Sequence, residues 1–436
     1  MLEVGASSIV INNDIGTQVQ GASVAQVAEY IRDDLEANLL FVRSNDAAVL
    51  LISCDVAALE THYMDQYRQA IAQRTQLDIK DVLITCTHTH AGPCVLETSY
   101  FKKADQAYLE RLGGWLTDAA AQAVASARLA QLRMAKGELA LGFNRRTCWA
   151  NGEHNMGRKG NGHAFTGTEG PTDATHIAMI AQDESGQPIV VFHSNSAHPT
   201  MFYGANYYSA EYPGEARAII RNALGELPVL YINGPFGDIS PVDVLAGTRL
   251  SGEQHVKMMG SRVAGKTLDL LASAPLQESI QVGHRSEILQ IPIRLPTDEE
   301  VAKGRALLAR VDAGEEIAAW ETMWAHGRVR AHDQLADSEH ENIPVHVVRI
   351  GDLALATHPV ELYCQFGIDL RRRSPAPMTS IADLTNGFSG YCPTYGGYLG
   401  GGYSGATLWW TRLAPEAGYR IVDEAARMLY ELWSTD

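Results

Sequence analysis

The sequence predicts an α/β fold: a mixed β-sheet core flanked by helices, in a single large domain over residues 1–436 with its candidate active site at strand ends. Three observations support this. Apolar runs too short for helices, such as Leu83-Ile84 and Ile189-Val190-Val191-Phe192, alternate with longer stretches of helical composition. Five apolar runs stop abruptly at reactive or turn-forming residues, the first at Thr87-His88-Thr89-His90-Ala91-Gly92-Pro93. No Ser/Pro-rich linker, internal repeat or low-complexity tract divides the chain. Chemistry collects at the carboxyl ends of strands in such folds, because the loops there vary while the sheet holds them.

Taken in order, 39–42 and 49–53 flank Ser44-Asn45-Asp46 and read as a hairpin. Residues 63–75 read as a helix, followed by the strand that ends at His88. Residues 104–127, Ala-rich and without Pro, read as one or two helices. The segment 151–170, dense in Gly, Asn and His, reads as a mobile loop over the site, with His154 and His163 outside the site. His193 falls inside an apolar run and reads as a core or supporting residue. Residues 298–325 read as helical, with Asp298, Glu299 and Glu300 complementing the dipole at the start. Arg371-Arg372-Arg373 closes a helix that follows Glu361.

The candidate residues sit where the apolar runs break. In an extended backbone, His88 and His90 at i, i+2 project to one side, so both imidazoles can reach one ion. His198 follows Ile189-Val190-Val191-Phe192, Ser240 follows Tyr231-Ile232, Glu361 follows Leu353-Ala354-Leu355-Ala356, and Tyr391 precedes a Gly-rich segment ending at Tyr403. Each residue type also has a plain structural use. Imidazoles at strand ends bond backbone, Glu361 beside Pro359 can start a helix, Tyr391 and Tyr403 can be packing residues, Arg145 can pair with an acidic surface, and Ser240 can form a turn.

Seven blocks, in chain order, resemble those of the neutral/alkaline ceramidase catalytic domain. They are Thr87-His88-Thr89-His90-Ala91-Gly92-Pro93, Asn144-Arg145-Arg146, Ala197-His198-Pro199, Ser209-Ala210-Glu211-Tyr212-Pro213-Gly214, Gly237-Asp238-Ile239-Ser240-Pro241, Pro359-Val360-Glu361-Leu362 and Gly390-Tyr391-Cys392-Pro393-Thr394. The resemblance spans nearly the whole chain and implies a single zinc ion held by His88, His198, Glu361 and Tyr391, other divalent ions remaining open. It also implies that His90, Arg145, Ser240 and Tyr403 surround the scissile amide. Pro-Val-Glu stands where the family has Pro-Gly-Glu. The resemblance is to a short form, without the signal segment and the C-terminal β-rich domain of secreted members.

The residue types suit that chemistry. Two imidazoles, a carboxylate and a phenol give zinc a mixed N/O shell in which bound water becomes a nucleophile near neutral pH. An oxyanion formed by attack on an amide needs donors such as Arg145, His90 or Tyr403, and the departing amine needs a proton that His90 can carry. The expected function is therefore a zinc-dependent hydrolase of C–N amide bonds, acting on a small soluble N-acyl compound. The alternatives are a metal-dependent glycoside-processing hydrolase or lyase on a polar substrate, and a non-catalytic metal- or ligand-binding protein.

Composition sets the surroundings. The 436 residues are 46% hydrophobic and 20% charged, enough for a large core. Asp and Glu total 51 against 35 Lys and Arg, and a net charge of −16 repels phosphate backbones, so no nucleic-acid partner is expected. The six cysteines lack CxxC spacing, and no apolar run is long enough for a membrane span. These features predict a cytoplasmic protein with a small-molecule substrate and no membrane partner.

Overall fold

Strands Leu2–Val10 (β1), Glu36–Ser44 (β2), Ala47–Cys54 (β3), Val82–Cys86 (β4), Arg128–Glu138 (β5), Thr175–Asp183 (β6), Pro188–Asn195 (β7) and Val229–Asn233 (β8) form one mixed sheet. Its order is β8-β7-β6-β5-β1-β2-β3-β4. The computed structural model describes residues 1–21, 23–44, 47–157, 162–246, 250, 252–278 and 280–434. All neighbours in this sheet are antiparallel except the outermost pairs, β3/β4 and β7/β8. Those two parallel pairs are each joined by a crossover helix, Thr61–Thr75 (α1) and Glu211–Leu224 (α3), as parallel neighbours require. Gln106–Ala125 (α2) follows β4, and Gly252–Ser273 (α4) follows β8.

A second sheet repeats the plan. Val282–Pro292 (β9), His340–Ile350 (β10) and Leu353–Thr357 (β11) run antiparallel. The chain then passes through Val360–Leu362 (β12) and helix Cys364–Arg373 (α7) to Met378–Ala382 (β13), which lies parallel to β11. Gly390–Cys392 (β14) pairs with β12. Helices Asp298–Asp312 (α5) and Ala319–Leu335 (α6) are inserted between β9 and β10, and Tyr395–Gly400 (α8) and Ala417–Trp433 (α9) are the last α-helices among the described residues.

The sequence strand, hairpin, helix, parallel strand, helix thus occurs three times, in β1–β4 with α1 and α2, in β5–β8 with α3 and α4, and in β9–β11 and β13 with α7 and α9. Register supports the correspondence: the parallel pairs end at Cys54 beside Cys86, Asn195 beside Asn233, and Thr357 beside Ala382. No repeat is visible in the amino-acid sequence, so this one is topological.

Alternation along the strands builds the layers. Leu39 and Phe41 pack toward the helices with Met64, Leu109 and Leu112, while Leu40 and Val42 face inward with Val348, Leu355 and Met378 of the second sheet. In the second unit Ile180 and Val229 pack against Val256 and Met259 of α4, while Met179, Val190 and Leu230 join the interior between the sheets. Each such buried side chain stabilises the fold by about 1.5–3 kcal/mol relative to exposure.

The expected hairpin is β2–β3, and its turn residues Asn45 and Asp46 lie outside the described residues. The 104–127 stretch is one helix, α2. The 298–325 stretch divides into α5 and α6, because Gly314 at φ +86° takes the left-handed conformation that ends α5. The arginine run closes α7 as expected. The 151–170 segment differs from expectation: its described part folds with Arg146–Trp149 into a three-stranded sheet through His154–Met156 and Phe165–Thr168, while 158–161 lie outside the described residues. Among the described residues no helix is long and apolar enough to cross a membrane. All six cysteines are free.

Candidate metal and catalytic site

The carboxyl ends of the three parallel pairs meet. Thr85 Oγ1 donates to the Asp383 carbonyl, Asn233 Nδ2 to the Thr87 carbonyl, and Asp383 N–H to the Asn233 carbonyl, stitching the ends of β4, β8 and β13 together. From this junction the first unit supplies His88, the second His198 and the third Glu361. His88 does not continue an extended strand as the i, i+2 spacing assumed. Its φ is +72°, a left-handed conformation costly for a residue with a side chain, and the chain bends there. The two imidazoles still converge, with His90 Nε2 3.2 Å from His88 Nε2.

Hydrogen bonds identify which nitrogens are bare. His88 Nδ1 lies 2.6 Å from the Ala57 carbonyl, and His198 Nδ1 lies 2.8 Å from that of Phe236 and 3.0 Å from that of Ile239. A carbonyl only accepts, so both Nδ1 atoms carry the proton and both Nε2 atoms present lone pairs. Glu361 Oε2 faces them at 3.1 Å from His198 Nε2 and 3.7 Å from His88 Nε2. Burial holds His88 down to about 4 and His198 well below the usual imidazole value, so neither ring supplies a positive charge. Burial likewise pushes Glu361 up to about 7, against the opposing pull of Arg145 and the Tyr391 hydroxyl. Three converging acceptor atoms favour a positive charge among them, which the Arg145 guanidinium supplies in part at His198, and a divalent ion there would return Glu361 to its ionised form. The donor set, two neutral imidazoles and a carboxylate, fits zinc.

The other expected residues take distinct places. Tyr391 is buried, and its hydroxyl bonds Glu361 and accepts from Arg145 Nη2 at 3.1 Å. The same Nη2 lies 2.8 Å from His198 Nε2 and 3.0 Å from the Gly237 carbonyl. Since Nε2 has one lone pair, an ion bound to His198 requires Arg145 to turn aside. Tyr403 packs edge-on to Tyr391 at 5.7 Å between ring centroids and faces the same cavity. His90 is half-buried, and its Nδ1 has no hydrogen-bond partner among the described residues. Ser240 is set apart. Its hydroxyl accepts from the Val242 N–H at 3.0 Å and does not line the cavity. His193 is fully buried behind the site, and His154 bonds Glu169.

A layer of buried acids that the sequence reading passed over supports this centre. Asp55 accepts from Thr87 Oγ1, Glu211 from the His90 N–H, and Asp383 from the N–H groups of Phe236 and Leu362. Asp238 accepts from Asn144 and from the Cys364 N–H, and its carbonyl accepts the Arg145 N–H. Each acid bonds a segment that carries or braces a site residue. Arg146, fully buried, binds Glu169 and the carbonyls of Gly397 and Gly401, fixing the 151–170 segment to the run that carries Tyr403.

The cavity over the centre is lined by His88, His90, Glu361, Tyr391 and Tyr403 at one side and by Leu96, Met323, Phe388 and Trp410 among the apolar walls, with about 70 Å³ of free space. A larger cleft of about 670 Å³ at Lys136, Asp173, Arg371 and Arg372 shares no residue with it and holds none of the converging groups. Gly21 lies in the wall so close to His90 that an added Cβ would stand 2.1 Å from the His90 carbonyl oxygen. Gly21→Ala is therefore expected to cost about 1–3 kcal/mol, read as a lower midpoint in thermal or urea unfolding.

No protein-family model matches the chain, and no curated protein matches it in sequence. Solved structures do. Neutral ceramidase from Pseudomonas aeruginosa superposes with a TM-score of 0.76 at 14% identity, over 99% of this chain and 74% of that one. A ceramidase complexed with C2 superposes with a TM-score of 0.73 at 14% identity, over 100% of this chain and 75% of that one. The architecture described above, three βαβ units meeting at one site, is thus similar to that of neutral ceramidase, and the chain has the ceramidase fold over essentially all of its length.

Proposed function

We propose that the chain is a zinc-dependent hydrolase of C–N amide bonds acting on a small soluble N-acyl compound. The observation that carries this reading is the convergence of the lone-pair atoms His88 Nε2, His198 Nε2 and Glu361 Oε2 beneath a cavity lined by His90, Tyr391 and Tyr403. His88, His198, Glu361 and Tyr391 would hold the ion, which when bound supplies Lewis acidity and lowers the pKa of water.

The remaining chemistry belongs to the chain. His90, whose ring lacks the carbonyl brace of His88 and His198, is free to exchange protons and carries one from the attacking water to the departing amine nitrogen. Burial holds it well below the usual imidazole value, which keeps it in the base form before attack. Tyr403 donates to the developing oxyanion. Burial pushes its hydroxyl up, so it remains a donor at working pH. Arg145 holds the Tyr391 hydroxyl and, on turning from His198, presents its guanidinium to the substrate oxygen. The apolar walls exclude bulk water, and Ser240 shapes the loop that carries the Ile239 brace.

The cavity's free space of about 70 Å³, on the order of five water molecules, favours a small substrate. The cytoplasmic setting rests on the free thiols. The test is a side-by-side assay of soluble N-acyl amides, detergent-dispersed long-chain ceramide and a glycoside panel. Soluble amides should be hydrolysed best. If ceramide is the best substrate the size argument fails, and if only glycosides turn over the amidase reading fails.

A further inference from the structure

We propose that Glu211 is a positioning residue for His90, its carboxylate fixing the backbone from which that imidazole reaches the His88–His198–Glu361 centre. The inference rests on the proton-carrying role given to His90 above. Glu211 is fully buried at the start of α3, with φ +55°. Its Oε1 accepts the His90 N–H at 3.3 Å, a donor shared with the Pro199 carbonyl at 3.2 Å, and its Oε2 accepts the Met201 N–H at 2.6 Å. The residues around it grip the same two loops. The Ser209 carbonyl accepts from Thr89 Oγ1 at 2.6 Å, the Ser209 N–H donates to the Ala91 carbonyl at 2.9 Å, and the Tyr212 hydroxyl donates to the Ala197 carbonyl at 2.7 Å.

Residues 209–212 therefore tie the His90 loop of the first unit to the His198 loop of the second. The left-handed backbone at Glu211 is held in place by these bonds. The contrast among the three histidines gives the arrangement its purpose. The rings of His88 and His198 are each oriented by carbonyls on Nδ1, whereas the His90 ring has no such brace and is placed by its backbone together with its contacts to His88 Nε2 and the Tyr203 ring. Both Glu211 oxygens accept backbone N–H groups, so an amide in place of the carboxylate turns one acceptor into a donor facing a donor.

The experiment is a double-mutant cycle on the metal-loaded full chain. Glu211→Gln should lower kcat roughly 10–100-fold, with KM changed less than about threefold and metal content unchanged, because a displaced acid–base group costs this much. In a His90→Ala background the same substitution should change kcat by less than about threefold. Equal losses in both backgrounds overturn the proposal. Should Glu211→Gln fail to fold, Ser209→Ala, which removes the hydroxyl accepting the Glu211 N–H, is read by the same criteria. Side-chain histidine NMR separates this inference from the activity itself. Whether or not any amide is hydrolysed, Glu211→Gln should shift the His90 ring signals more than those of His88, which touches His90, and of His198, and unmoved His90 signals overturn it.

Discussion

Purified His198→Ala protein is expected to carry no tightly bound divalent ion where the unmodified chain carries about one, and to lose roughly 10³-fold or more in amide hydrolysis. His198 is fully buried, and two carbonyls hold its Nδ1 so that Nε2 points at Glu361. Removing it deletes one of the three converging acceptors and frees Arg145 Nη2 from its 2.8 Å contact, so the remaining pair has neither the geometry nor the donor count for tight binding. His193→Ala is the matched control. It too is fully buried and belongs to β7, but it faces Tyr231 and His176 and bonds nothing at the centre. Elemental analysis should find the ion retained in His193→Ala and absent in His198→Ala. Full metal in both would remove His198 from the ligand set.

Much of this centre is legible in the sequence because short parallel strands buried on both faces read as apolar runs, and such runs stop visibly where side chains turn polar. Val82–Cys86, Pro188–Asn195 and Leu353–Thr357 are of this kind, and His88, His198 and Glu361 follow them closely. The threefold repetition of the unit is not legible. Packing constrains the apolar character of positions such as Leu40, Met179 and Leu355 but leaves their identities free, so a shared topology survives without a shared sequence.

The supporting acids are hidden for another reason. Glu211, Asp238 and Asp383 act on backbone N–H groups distant in the chain, and nothing in a lone acid's neighbours distinguishes that from a solvated surface residue. The glycines of the 151–170 segment hide the strands His154–Met156 and Phe165–Thr168 in its described part. That part is braced by a buried ion pair between Arg146, at the start of one strand of that small sheet, and Glu169, just past the end of another. Gly314 carried the break between α5 and α6 in plain view, yet the continuous helix-forming composition around it masked the stop.

Tyr403→Phe is expected to lower kcat about 10²-fold while metal content is unchanged and KM moves less than about threefold. The ring is held without its hydroxyl: it packs against Trp410 at 5.1 Å and Tyr391 at 5.7 Å, and Trp410 Nε1 donates to the Tyr403 carbonyl at 3.0 Å. Deleting one oxygen therefore leaves the cavity wall standing. Tyr391→Phe should behave differently, since that hydroxyl bonds Glu361 and accepts from Arg145, and its loss should weaken metal retention as well as turnover. Paired measurements of kcat and metal content on the two variants decide the division of roles. If Tyr403→Phe keeps full turnover, Tyr403 is a packing residue only; if it loses the ion while Tyr391→Phe keeps it, the two phenols exchange places as ligand and oxyanion donor.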